Sequence, residues 1–137
     1  MELASANASH VVVLLCLSVA LLLFHILLQG MLATRELGSE WNAGPRDGDR
    51  QPTNARAGRA ARASKNFQET YPAFIGLLLG LAFMGDTSGF GIVGSWLWLV
   101  ARIVYIPLYL AGIAYIRSLV WVLSVLGLVL MMIGLLL

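Results

Sequence analysis

The sequence predicts an all-α integral membrane protein, a single domain over residues 1–137 folded as a bundle of four transmembrane helices. Three observations carry this. Of 137 residues, 59% are hydrophobic and only 12% charged, with mean hydropathy +0.83, whereas a soluble domain carries roughly twice that charge fraction. Residues 11–33 and 119–137 hold no formal charge at all, and each reaches the ~20 apolar residues a helix needs to cross a bilayer. Two further apolar stretches, 71–84 and 92–116, lie between them, separated by the turn-forming "GDTSGFG" at 85–91.

The first helix is expected over about residues 8–35. "MELASANASH" carries only Glu2 where a cleaved signal peptide has a basic region, and the apolar run is longer than a signal core. A retained helix is the expectation. Cys16, the only cysteine, excludes an intramolecular disulfide and reads as a small apolar residue. His25 and Gln29 form a weak polar stripe; with no second His or carboxylate nearby in sequence, they suggest no metal site.

The loop 36–57 is rich in Gly, Pro, Asn and Asp, the turn formers, and too poor in apolar residues to fold as a domain. Seven of the nine cations lie between Arg35 and Lys65. The positive-inside rule then places this loop in the cytoplasm, with the 85–91 turn and both termini on the opposite side.

The second helix is expected over about 58–84, starting in water and dipping into lipid. Its uncharged part is too short to span unless the membrane also takes in Glu69. Gly76 and Gly80 form a G-x-x-x-G that would let helices approach closely. The third helix, about 90–115, carries one charge, Arg102, and a Pro107 expected to kink it. "IRS" at 116–118 leaves almost no loop, so the fourth helix, 117–137, would return as a hairpin with its turn at Arg117.

Two polar stripes coincide in depth. Arg62, Lys65, Asn66 and Glu69 share one face of the second helix, and Arg102, Tyr105 and Tyr109 share one face of the third. Counted from the 85–91 turn at ~1.5 Å per residue, Glu69 and Tyr105 both lie roughly 21–22 Å deep, and Asn66 and Tyr109 both about 27 Å. Arg102, at about 16 Å, could reach Glu69 with its long side chain. An unpaired charge at membrane depth costs ~2.5–3.5 kcal/mol or more, so Glu69 is expected to face Arg102 or a bound cationic group. The pair could equally be a staple between two helices. Arg59 reads as a headgroup-facing cation. Asn66 and the two tyrosines at matched depth point instead to a polar pocket for an anionic small molecule. No Gly-rich phosphate loop, Ser-His-Asp pattern or extramembrane basic domain is present.

"RASKNFQETYP" (62–72) resembles the second-helix signature of the MAPEG superfamily, the membrane-associated proteins of eicosanoid and glutathione metabolism. Arg62, Asn66, Glu69 and Pro72 match its R-x-x-x-N-x-x-E-x-x-P without a gap. "ARIVYIPLYLAGIAYIRS" (101–118) is similar to the third-helix signature, with its paired tyrosines and closing Arg-Ser. The resemblance implies a homotrimer that binds glutathione between neighbouring subunits near the cytoplasmic face. By the same resemblance Arg62, Asn66 and Glu69 would hold the tripeptide's carboxylates and amino group, and Tyr105 and Tyr109 would line the pocket. Arg117 would stabilise the thiolate, Ser118 would supply a neighbouring hydroxyl, and Arg35 would be a further arginine of the site. Thr70, Lys65 and Trp121 depart from the leukotriene and prostaglandin synthase branches, which argues against an eicosanoid substrate and leaves the thiol-binding frame intact.

The implied function is a membrane glutathione transferase, with or without peroxidase activity, joining glutathione to lipophilic electrophiles. The alternatives are a non-catalytic relative that binds lipid or regulates a partner, and a carrier or purely structural four-helix protein.

Overall fold

The computed structural model describes residues 2–137, with side chains from residue 8 onward. Met1 and the side chain of Glu2 therefore lie outside it. Five helices follow one another: α1 (Glu2–Leu37), α2 (Ser39–Ala43), α3 (Ala55–Met84), α4 (Phe90–Ala111) and α5 (Ala114–Leu136). Four of them contain stretches long and apolar enough to cross a membrane: Ala8–Leu37, Ala55–Met84, Phe90–Ala111 and Ala114–Leu136. The protein is a multi-pass bundle whose lipid-compatible surface is covered by side chains such as Leu27, Phe83 and Val122.

Each span buries a narrow stripe. On α1 it is Val11, Leu14, Ser18, Leu21 and His25, and on α5 it is Ser124, Gly127, Met131 and Gly134. These recur every three or four residues, the period that keeps one helix face inward. Between α1, α3 and α4 sits an aromatic core. The rings of Phe74 and Trp98 stack at 3.9 Å and 12°, Phe67 lies 5.5 Å from Trp98 and 4.8 Å from His25, and Tyr71 bonds Ser18 Oγ at 3.0 Å. Such offset pairs gain ~0.5–1.5 kcal/mol beyond their burial.

The closest helix approach is between α4 and α5. A Cβ on Gly94 would meet Gly127 O at 2.5 Å, and one on Gly127 would meet Gly94 O at 2.7 Å. Glycine is required there because the two backbones touch. The expected Gly76–Gly80 contact is corrected: nothing lies within 4 Å of a Cβ built on Gly76, and Gly80 meets only the Leu135 side chain. Gly76 is exposed, and half-buried Gly80 packs on a side chain of α5 and not on a second backbone.

Three boundaries differ from the sequence expectation. The polar loop contains the short helix α2. The second span begins at Ala55, because Asn54 Oδ1 accepts from the N–H groups of Arg56 (2.9 Å) and Ala57 (3.4 Å) as an N-cap. Glu36 at the end of α1 secures that cap by accepting from the N–H groups of Thr53 (2.6 Å) and Asn54 (2.9 Å). The last turn lies at Gly112–Ile113, not at 116–118. Gly112, at φ 77°, closes a Schellman motif in which its N–H donates to Tyr109 O and that of Ile113 to Leu108 O, both at 3.1 Å. Arg117 and Ser118 consequently stand on the first turns of α5. α4 remains helical through Pro107.

At the other end of the bundle, Asp86 is the buried cap of α4. Its carboxylate accepts from the N–H groups of Gly89 (2.9 Å) and Ile92 (2.8 Å), where a negative charge also suits the helix dipole. His10 and Trp96 bond near this end, so the loop 38–54 and the Gly112 turn share the opposite one.

Candidate functional site

A cavity of about 210 Å³ opens at the end of the bundle that carries the Gly112 turn. It is lined by Asn66 of α3, Tyr105 and Tyr109 of α4, and Arg117, Ser118 and Trp121 of α5. Spacing alone explains this convergence. Tyr105 and Tyr109 are one helical turn apart on α4, Arg117 and Trp121 are one turn apart on α5, and the two-residue link folds those turns against each other.

From the buried layer beneath the cavity up to its wall, cations and rings alternate. The Arg102 guanidinium carbon lies 4.7 Å from the Tyr105 ring centroid. The Tyr105 and Tyr109 rings are 5.4 Å apart. The Arg117 guanidinium carbon lies 4.6 Å from the Tyr109 ring. Each cation is in the range where the ring quadrupole attracts it, so Tyr109 orients Arg117 while leaving its N–H groups free to donate. Asn66 Oδ1 is buried and has no partner in the protein, and Ser118 Oγ donates to Ala114 O at 3.0 Å.

Arg102 is fully buried beneath the cavity, against the rings of Phe67 and Tyr105. None of its three guanidinium nitrogens bonds a protein acceptor. Of the two partners expected for Glu69, Arg102 or a bound cationic group, Arg102 is near but forms no hydrogen-bonded pair with it in a single chain. Arg102 turns into the core; Glu69, although exposed, lies within electrostatic reach of it.

Of the residues anticipated for the site, Asn66, Tyr105, Tyr109, Arg117 and Ser118 come together in one cavity. Arg62 and Glu69 flank Asn66 on the same helix face but are exposed, and Arg62 folds back toward Gly58, where a Cβ would lie 3.2 Å from its Nη1. Arg35 lies elsewhere. It borders a shallow groove on α1 with Met31 and Arg46, and another with Glu36 and Arg56.

Two residues were missed. Trp121 is the apolar lip of the cavity, and its i, i+4 relation to Arg117 was the available signal. Arg59 is not a headgroup-facing cation: it is half-buried and its Nη1 donates to Leu110 O at 3.1 Å. Among the described residues no group of three or more His, Cys, Asp or Glu is placed to hold a metal.

Fold and cavity together define a class: a four-span membrane protein with a cationic, aromatic-walled polar pocket at one end of the bundle. A model of the MAPEG family matches residues 14–137, nearly the whole chain, and the protein belongs to that family. No curated protein and no solved structure matches it.

Proposed function

We propose that the protein is a membrane glutathione transferase that works as a homotrimer, with each glutathione held between neighbouring copies. The observation that carries this reading is the convergence of Asn66, Tyr105, Tyr109, Arg117 and Ser118 on one cavity. The donor set suits the ligand. Glutathione carries two carboxylates, an ammonium and a thiol; guanidinium groups bind carboxylates through charge-assisted hydrogen bonds, and a carboxylate such as Glu69 suits the ammonium. The partnerless Asn66 Oδ1 is a ready acceptor for a peptide N–H or the ammonium.

At about 210 Å³, the cavity of one chain is below the ~300–1,000 Å³ of small-molecule sites. A second copy packed on the exposed Arg62–Glu69 face of α3 would enlarge it, and would bring those residues and the neighbour's Arg35 onto the ligand. The loop 36–57 would lie in the cytoplasm with both termini opposite, by its excess of cations.

In the reaction, the thiol of glutathione loses its proton to water and the Arg117 guanidinium stabilises the resulting thiolate. A free thiol of pKa ~8.5 is mostly protonated at neutral pH, and a neighbouring cation favours the anion that attacks. The sulfur forms a bond to an electrophilic carbon as the leaving group departs with its electron pair. Trp121 lines the cavity and is partly exposed beside outward apolar side chains of α5 such as Val122, so an electrophile dissolved in lipid would reach the sulfur without crossing water.

A conjugation assay on detergent-purified protein, with glutathione and a generic aryl halide, tests this. Turnover that saturates in glutathione is expected. The second reading, a non-catalytic lipid-binding or partner-regulating relative, is favoured by the small size of the single-chain cavity. Absence of turnover by a folded protein would select it.

A further inference from the structure

We propose that Arg59 is a positioning residue that holds the Tyr109–Arg117 pair in register by completing the cap at the end of α4. The carbonyls of a helix's last turn lack intrahelical partners. Here Leu108 O receives Ile113 N–H and Tyr109 O receives Gly112 N–H. The Schellman motif has no further N–H to offer Leu110 O, the next carbonyl in the series. Arg59 Nη1 fills that gap at 3.1 Å, reaching across from α3.

The position is specific. Ala57, Ala60 and Ala63 are all buried on α3, and their small side chains let this end of the helix approach the bundle closely enough for Arg59 to reach α4. On the far side, a Cβ on Gly112 would lie 2.9 Å from the Arg59 guanidinium carbon. The cation is thus seated directly on the glycine that turns α4 into α5. The negative end of the α4 dipole adds to its hold.

The consequence reaches the site through the backbone. Tyr109 is one residue before the clamped carbonyl, and Arg117 lies four residues into α5 across a two-residue link. Their 4.6 Å contact depends on the angle of that link. The Arg59 hydrogen bond goes to Leu110 O and its guanidinium sits against Gly112, neither of which lines the cavity, so it acts by fixing the spacing of the residues that do. Its effect on thiolate chemistry rests on the glutathione reading above; its effect on the link does not.

The test uses the full chain in detergent, as wild type, Arg59→Met and Arg59→Lys. Hydrogen exchange of the segment 108–118 reports the link without any ligand. Arg59→Met is expected to speed exchange there by about tenfold, the equivalent of losing ~1.4 kcal/mol, while 119–137 is unchanged; Arg59→Lys, which can still donate to Leu110 O, should recover most of it. Ultraviolet titration of bound glutathione adds the chemical readout, with the thiol pKa raised by about one unit in Arg59→Met. Unchanged exchange at 108–118 overturns the proposal. Faster exchange with an unshifted thiol, in a protein that binds glutathione, also overturns it, because the clamp would then be structural only. Should the wild type bind no glutathione, the transferase reading fails and the exchange result alone decides whether Arg59 holds the link.

Discussion

The guanidinium of Arg117 lies 4.6 Å from the centroid of the Tyr109 ring, a contact across the Gly112–Ile113 turn between residues eight apart in sequence. It sets the only cation among the cavity-lining residues against an aromatic wall, and the chemistry proposed for the site depends on where that cation points.

Arg117→Ala should remove the charge that favours the thiolate. The thiol pKa of bound glutathione is expected to rise by about one to two units, since one unit corresponds to ~1.36 kcal/mol of lost differential interaction. Activity near neutral pH should fall in proportion and recover as pH is raised through the new pKa. A pH–rate profile with ultraviolet detection of the thiolate checks this; an identical profile would give Arg117 another role.

Glu69→Gln should weaken glutathione binding by about tenfold, from loss of a charge-assisted contact to the ammonium. Glu69 is exposed within the chain, so helix content should be unchanged. Equilibrium binding and circular dichroism together check it. A variant that binds as wild type would leave Glu69 as a surface carboxylate.

Gly127→Ala and Gly76→Ala should separate a backbone contact from a bare motif. The new methyl at Gly127 would meet Gly94 O at 2.7 Å and Trp98 N at 2.8 Å, and overpacking of this kind costs ~1–3 kcal/mol. At Gly76 nothing lies within 4 Å, so alanine should be neutral or stabilise by up to ~1 kcal/mol through helix propensity. Thermal unfolding in one detergent ranks the two; equal midpoints would contradict the α4–α5 packing.

Asn54→Ala should fray the start of α3 at a cost of ~1 kcal/mol, because its side chain caps two N–H groups. Faster hydrogen exchange over 55–58, with the transmembrane part unaltered, is the expected signature.

The spans were legible because a bilayer leaves a backbone few choices: an uncharged run of ~20 residues must be helical. The meeting of Asn66 with Tyr105 and Tyr109 was legible for a related reason. Depth is residue count times helical rise, and both stripes were counted from the same turn. Azimuth is not a count. Nothing in the spacing said that Arg102 would rotate into the aromatic core, so Glu69 comes within electrostatic reach of it without a hydrogen bond, although the arithmetic of depth was sound. The Gly112 turn was hidden because a two-residue break inside an apolar run has no polar signal; only the glycine marks it. Gly76–Gly80 misled in the opposite direction, since two glycines one turn apart do not reveal whether another backbone is near. Arg59 was misread because its partner is a main-chain carbonyl, which leaves no trace in side-chain patterns.

The most direct measurement is calorimetric titration of glutathione into the detergent-purified protein, beside Asn66→Leu of matched thermal stability. Saturable heat from the wild type, with affinity reduced at least tenfold in the variant, is the predicted result. No heat from a wild type whose helices are intact, or equal affinity in both proteins, would contradict the claim that this end of the bundle receives the tripeptide.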